Sequence, residues 1–181
     1  MSEGPLTRAP QLSTQTWYNT NVPVDLLELR GKVVVIYAFQ MLCPACVSHS
    51  LPQAKSLHQY FTADDVCVLG LHSVFEHHDV MTNEALAAFI SEYRLGFPIA
   101  VDAPGESGPI PQTMQRYELQ GTPSVLLIDR QGYLRVKAFG HVADLPLGHW
   151  IGRLLSTTHE APSEPPKGDA LQACLVNGRC N

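Results

Sequence analysis

A chain of 181 residues with a net charge of −5 and a pI near 5.8 has room for one core-bearing domain and an extension, whereas two full-sized domains would be cramped. It lacks the basic footprint that nucleic-acid binding leaves, and no segment approaches the roughly 18 apolar residues of a membrane-spanning helix, so neither nucleic acid nor a membrane is expected as a partner. The opening stretch MSEGPLTRAPQLSTQTWYN has no basic region followed by an apolar one, and the cysteine count is odd (Cys43, Cys46, Cys67, Cys174, Cys180), which argues against a fully paired secreted scaffold. A cytoplasmic location is the expectation, and in that setting a close cysteine pair is chemical rather than a permanent brace.

We divide the chain into an N-terminal extension over 1–13, a domain over 14–156, and a Pro-rich linker with a cysteine-bearing tail over 157–181. The run KVVVIYAF from Lys32 to Phe39 is β-branched, aromatic and too short for an ordinary helix, so it reads as a buried central strand. After Pro44, apolar Val47, Leu51, Ala54, Leu57 and Phe61 recur at three to four residue spacing. They predict a helix to about Tyr60, bent near Pro52, where a backbone donor is missing. Asp65 to Val74 predicts a second buried strand. NEALAAFISEYRLG predicts an amphipathic helix capped by Asn83 and stopped at Gly96. A short strand in FPIAVD precedes a Gly- and Pro-rich loop over Ala103 to Pro111, and a short helix is predicted around Met114 to Leu119. SVLLIDRQGYLRVKAFG predicts two strands about the turn Asp129 to Gly132, and DLPLGHWIGRLLS a closing helix. Beyond Ser156 the sequence turns polar and Pro-rich, too poor in apolar surface to offset its ordering entropy, so a flexible tail is expected.

Chemistry concentrates at FQMLCPACVSH, residues 39–49. A Cys-x-x-Cys at a strand-to-helix junction sets the first thiol at a helix N-terminus, where unpaired N–H groups and the macrodipole favour a thiolate. Cys43 is thus the predicted nucleophile. Cys46, one turn further in, is placed to attack a mixed disulfide formed on Cys43. Some eighty residues on, QGTPSVLLID puts Thr122-Pro123 just ahead of a strand, where a proline cannot donate to a ladder and a cis bond suits the site.

CPAC between a β-run and a helix, with GTPS ahead of a hairpin and a last helix, resembles the thioredoxin-like superfamily. EALAAFISEYRLGFPIAVD, between the second strand and Gly-Thr-Pro, is similar to the extra helix and strand of its TlpA and AhpC-TSA (redoxin) branch. The resemblance covers roughly Pro10 to Ser156. It implies an α/β thioredoxin-like fold, a central mixed sheet flanked by helices. It implies thiol-disulfide exchange with Cys43 attacking and Cys46 resolving, Pro123 as a cis-proline beside them, and Thr122 offering backbone groups to a bound substrate. Protein or low-molecular-weight disulfides are the implied substrates, an external thiol reductant such as a thioredoxin or glutathione system the implied partner, and no bound cofactor is required. Leu42 and Tyr37 stand where thioredoxins usually carry a Trp and a buried Asp, so the usual proton acceptor is missing. His49, three residues after Cys46, is assigned to modulate thiol ionisation.

Three alternatives remain at this stage, one of them a non-catalytic thioredoxin-like interaction module, which would leave Cys43 sluggish despite its motif. A thiol peroxidase would need a Thr or Ser three residues before the reactive cysteine, where Gln40 stands. A zinc or copper module would draw on the Cys-x-x-Cys with His49, the tail cysteines, or His72, His77 and His78, although FEHHD reads as an exposed loop. Met41 reads as a core or rim residue and Cys67 as a small buried hydrophobe. Closing so short a loop as Cys174 to Cys180 would stabilise the chain by only about 2 to 2.5 kcal/mol. The stretch from Ser156 to Cys174 can extend roughly 60 Å, far beyond the radius of gyration of about 15 Å for such a domain. Reach therefore allows Cys174 and Cys180 to form an accessory pair exchanging with Cys43 and Cys46, and an inert surface disulfide or free thiols are the other readings of the tail.

Overall fold

The computed structural model describes residues 7–157. The predicted tail, with Cys174 and Cys180, lies outside the described residues. Six strands form one mixed sheet in the order β1-β4-β3-β2-β5-β6: β1 (Thr14–Tyr18), β2 (Val33–Phe39), β3 (Val66–His72), β4 (Ile99–Asp102), β5 (Ser124–Ile128) and β6 (Leu134–Phe139). β2 is parallel to β3 on one side and antiparallel to β5 on the other, and every one of its residues is buried. A strand paired on both edges and covered on both faces has no polar face, which is why its sequence does not alternate.

Alternation reappears in which layer each β2 side chain enters. Val33, Val35, Tyr37 and Phe39 join Cys46, Leu51 and Ala54 together with Leu86 and Ile90 of α2 (Asn83–Glu92) and Leu147 and Ile151 of α4 (Asp144–Ser156). Val34, Ile36 and Ala38 face the opposite layer with Met114 and Tyr117, beside α3 (Gln112–Arg116). Helices thus cover both faces of the sheet.

Several boundaries differ from the predicted ones for local reasons. β1 had no predicted counterpart because TQTWY carries little apolar signal; it pairs antiparallel with β4 and is only partly buried. Thr82, not Asn83, caps α2, its hydroxyl accepting from the Ala85 N–H at 3.3 Å. The helix ends before Gly96. Arg94 takes the left-handed turn at φ 51°, and the Leu95 N–H reaches back to the Ile90 carbonyl at 3.0 Å, because this closure buries Leu95. α3 begins earlier than predicted because buried Asp102 accepts from the Thr113 and Met114 N–H groups at 2.8 and 3.0 Å. Residues 7–13 are tied to the domain: the Ala9 N–H bonds Gly132 at 2.9 Å, Thr7 accepts from Leu134 at 3.0 Å, and the Tyr117 hydroxyl donates to Pro10. At the β5–β6 turn Gly132 has φ 83°, and a Cβ there would fall 0.7 Å from Arg30 Nη1.

Candidate active site

β2 ends at Phe39 and delivers Gln40 to Cys43 into a turn, with the Cys43 N–H bonded to the Gln40 carbonyl at 3.2 Å. The helix that follows is not uniform. Cys46–Ser50 forms one π-helical turn, its close marked by the Leu51 N–H bonding Cys46, before α1 (Leu51–Tyr60) continues as regular helix. Pro52 explains the position. Its ring crowds the carbonyl four residues back and it lacks a donor, and a widened turn relieves both. The irregularity predicted near Pro52 takes the form of this turn.

Cys43 is half-buried and Cys46 has no exposure; both are free thiols. The Cys43 thiol donates to the Thr122 carbonyl at 3.5 Å, and its sulfur accepts from the Cys46 N–H at 3.3 Å. The Thr122–Pro123 peptide is cis. Burial pushes the Cys46 thiol well above its ordinary range; the hydrogen bond and charge of Cys43 add to this, while the Gln40 backbone and the Thr122 side chain pull it down. Of the two sulfurs, that of Cys43 is the one within reach of solvent, while burial holds Cys46 as a thiol. Two of the influences that raise its pKa, the hydrogen bond and the charge, belong to Cys43.

Below the pair lies a polar link with no counterpart in the sequence reading. The Tyr37 hydroxyl donates to Gln53 Oε1 at 3.0 Å, and Gln53 Nε2 donates to the Val142 carbonyl at 2.8 Å and to Asp144 Oδ1 at 2.6 Å. Burial and, secondarily, the Asp144 charge raise the Tyr37 pKa, so this hydroxyl stays protonated and cannot take the missing Asp's place as proton acceptor. His72 was weighed as a metal ligand. It is buried at the end of β3, its ring 5.2 Å from that of Phe39, and its Nε2 accepts from the Met41 N–H at 3.4 Å. Burial lowers its pKa to about 4, keeping that nitrogen an acceptor. His77 and His78 lie on an exposed loop. Among the described residues no group of three or more His, Cys, Asp or Glu side chains is placed to hold a metal. Met41 is a core residue, while Leu42 is exposed beside Cys43. Cys67 is half-buried rather than buried, and its thiol pKa is raised by that partial burial.

His49 points outward, its ring 4.9 Å from that of His141. The two border an open groove of about 790 Å³ between α1 and the start of α4, lined further along by Pro52, Leu57, Tyr60, Leu147 and Gly148.

The AhpC/TSA family profile matches residues 5–137. The chain belongs to the AhpC/TSA family. Its fold is thioredoxin-like: a solved thioredoxin-like superfamily protein is 51% identical, with a TM-score of 0.82 over 84% of this chain and 99% of that one. A thiol-disulfide isomerase from Corynebacterium glutamicum is 52% identical, with a TM-score of 0.79 over 83% of this chain and 98% of that one. Among curated relatives, protein DipZ of Mycobacterium bovis is 32% identical over 136 residues, 73% of this chain. The chain spans only 18% of DipZ, and 13% of another such relative, the NHL repeat-containing protein 2 of Gallus gallus.

Proposed function

We propose that this AhpC/TSA family member is a thiol-disulfide oxidoreductase whose working pair is Cys43 and Cys46. The observation that carries the reading is the asymmetry of the pair: one sulfur half-exposed between the Thr122 carbonyl and the Cys46 N–H, the other fully buried one turn away. In the reducing direction Cys43 thiolate attacks a substrate disulfide and expels one thiolate. Cys46 then attacks Cys43 Sγ, releasing the second substrate thiol and closing the pair, and an external thiol system restores the dithiol. Thr122 and Pro123 border the attacked sulfur and are assigned to substrate binding. The thiol-disulfide names carried by the Corynebacterium glutamicum structure and by the sporulation thiol-disulfide oxidoreductase A of Bacillus subtilis support disulfides as the substrate class. A cytoplasmic setting, if that is where the chain works, favours the reducing direction. The peroxidase alternative still has Gln40 where a peroxide-orienting hydroxyl is wanted.

Equilibration across glutathione buffers of graded potential, with thiol trapping and mass spectrometry, is the test. A reversible two-electron transition joining Cys43 to Cys46 is expected, with Cys43 alkylated first in the reduced protein; failure of the two to pair at any potential overturns the reading.

A further inference from the structure

The groove between α1 and α4 starts beside the redox pair and leads away from it. Its lining runs along the first helix from Ser48 and His49, two and three residues after Cys46, to Tyr60 and Phe61, a span of about 18 Å at helical rise. Its far wall is the first half of α4. Tyr60 at its outer end is 81% exposed and Leu145 at the start of α4 is 87% exposed. Gly148 leaves the α4 wall bare, since a Cβ there would meet no atom within 4 Å. A glycine in a helix interior costs about 0.5 to 1 kcal/mol relative to alanine, and no packing contact explains it here. A bare position in that wall lets a second backbone approach closely.

α4, which forms that wall, is the last described element, ending at Ser156, and the chain continues to residue 181 with ALQACLVNGRC near its end. Ala170, Leu171, Ala173, Leu175 and Val176 supply apolar side chains beside Cys174. From the end of α4 back to its start is about 20 Å, and the chain from Ser156 to Ala170 reaches roughly 50 Å extended.

We propose that the segment 170–180 docks in the α1–α4 groove and that its cysteines exchange with Cys43 and Cys46; this rests on the redox reading above. When the pair is oxidised, one tail thiol, having lost its proton to water, attacks Cys43 Sγ, the sulfur with solvent access. The Cys43–Cys46 bond breaks and Cys46 leaves as a thiolate that takes up a proton. The other tail thiolate attacks the tail sulfur of the mixed disulfide, freeing Cys43. Two electrons and two protons pass from Cys174 and Cys180 to Cys43 and Cys46, leaving a Cys174–Cys180 disulfide that an external low-molecular-weight thiol reduces. Tethering supplies an effective concentration on the order of millimolar, ahead of a dilute protein partner.

The test uses the full chain carrying Cys46→Ser, which leaves Cys43 without its resolving partner, in a glutathione redox buffer followed by thiol trapping and mass spectrometry. A Cys43 bridge to Cys174 or Cys180 within one chain is expected, its yield unchanged over a hundredfold range of protein concentration. Gly148→Trp, which puts a large side chain where a Cβ would meet no atom within 4 Å, and Tyr60→Glu on the groove's outer edge are each expected to lower that bridge about tenfold while leaving the Cys43–glutathione adduct. The adduct without any tail bridge overturns the docking and leaves the redox reading standing. A bridge formed only between copies, or one indifferent to both groove variants, overturns it as well. Absence of every Cys43 disulfide, adduct included, overturns both.

Discussion

Cys43 and Cys46 are one turn apart, yet their sulfurs meet different surroundings, and the same holds for histidines that look alike in the sequence. His72 is 1% exposed and its burial lowers the pKa to about 4, against about 6.5 in an unfolded chain. The unfolded state therefore binds a proton that the folded state refuses as pH falls below about 6.5. The stability present above that pH is lost on the way to about 4, by roughly 3 kcal/mol. His72→Gln keeps an acceptor for the Met41 N–H and removes the titration. Denaturant midpoints at pH 7 and pH 4.5 should show a smaller acid loss for the variant, and equal losses would mean that His72 contributes nothing to acid sensitivity. The placing of Cys43 and Cys46 at the start of a helix after a buried strand was legible from residue types and spacing. The role of His72 was not, because a histidine at a strand end reads the same whether its nitrogen meets a metal or an amide.

At the scale of elements, the helix after the cysteine pair and the last helix both carry residues that helices avoid. Pro52 is accommodated by the π-helical turn Cys46–Ser50, which the sequence signalled as a bend without giving its form. α4 holds Gly148 and Gly152, and a Cβ on Gly152 meets nothing within 4 Å. Gly152→Ala is expected to raise stability by about 0.5 to 1 kcal/mol, read as a higher denaturant midpoint with the slope unchanged. A lower midpoint would show that the position has a contact not visible in its surroundings. Elements with strong patterns, β2 and α1 above all, were readable. β1 was not, because an edge strand that buries little carries little pattern, and the end of α2 was misplaced because burial of Leu95 outweighed the preference for glycine at a left-handed turn.

Across the whole molecule, Gln53 joins parts far apart in sequence: Tyr37 of β2, Val142 ahead of α4, and Asp144 at its start. Gln53→Ala leaves the buried Tyr37 hydroxyl and the Val142 carbonyl without this partner, and a loss of roughly 2 to 4 kcal/mol is expected. Chemical denaturation measures it, and a loss below about 1 kcal/mol would mean that water or a shifted side chain replaces the link.

What the sequence by itself determined is local: a buried central strand, a cysteine pair at a helix start, a proline ahead of the hairpin, and the change of composition past Ser156. These rest on periodicity, turn chemistry and spacing, which neighbouring residues carry. The tertiary structure decided which distant residues meet: Thr122 with Cys43, His72 with Met41, Gln53 with Tyr37 and Asp144, and His49 with His141 at the mouth of a groove. Such meetings depend on sheet order and on which face each helix covers, and no short stretch of chain encodes either.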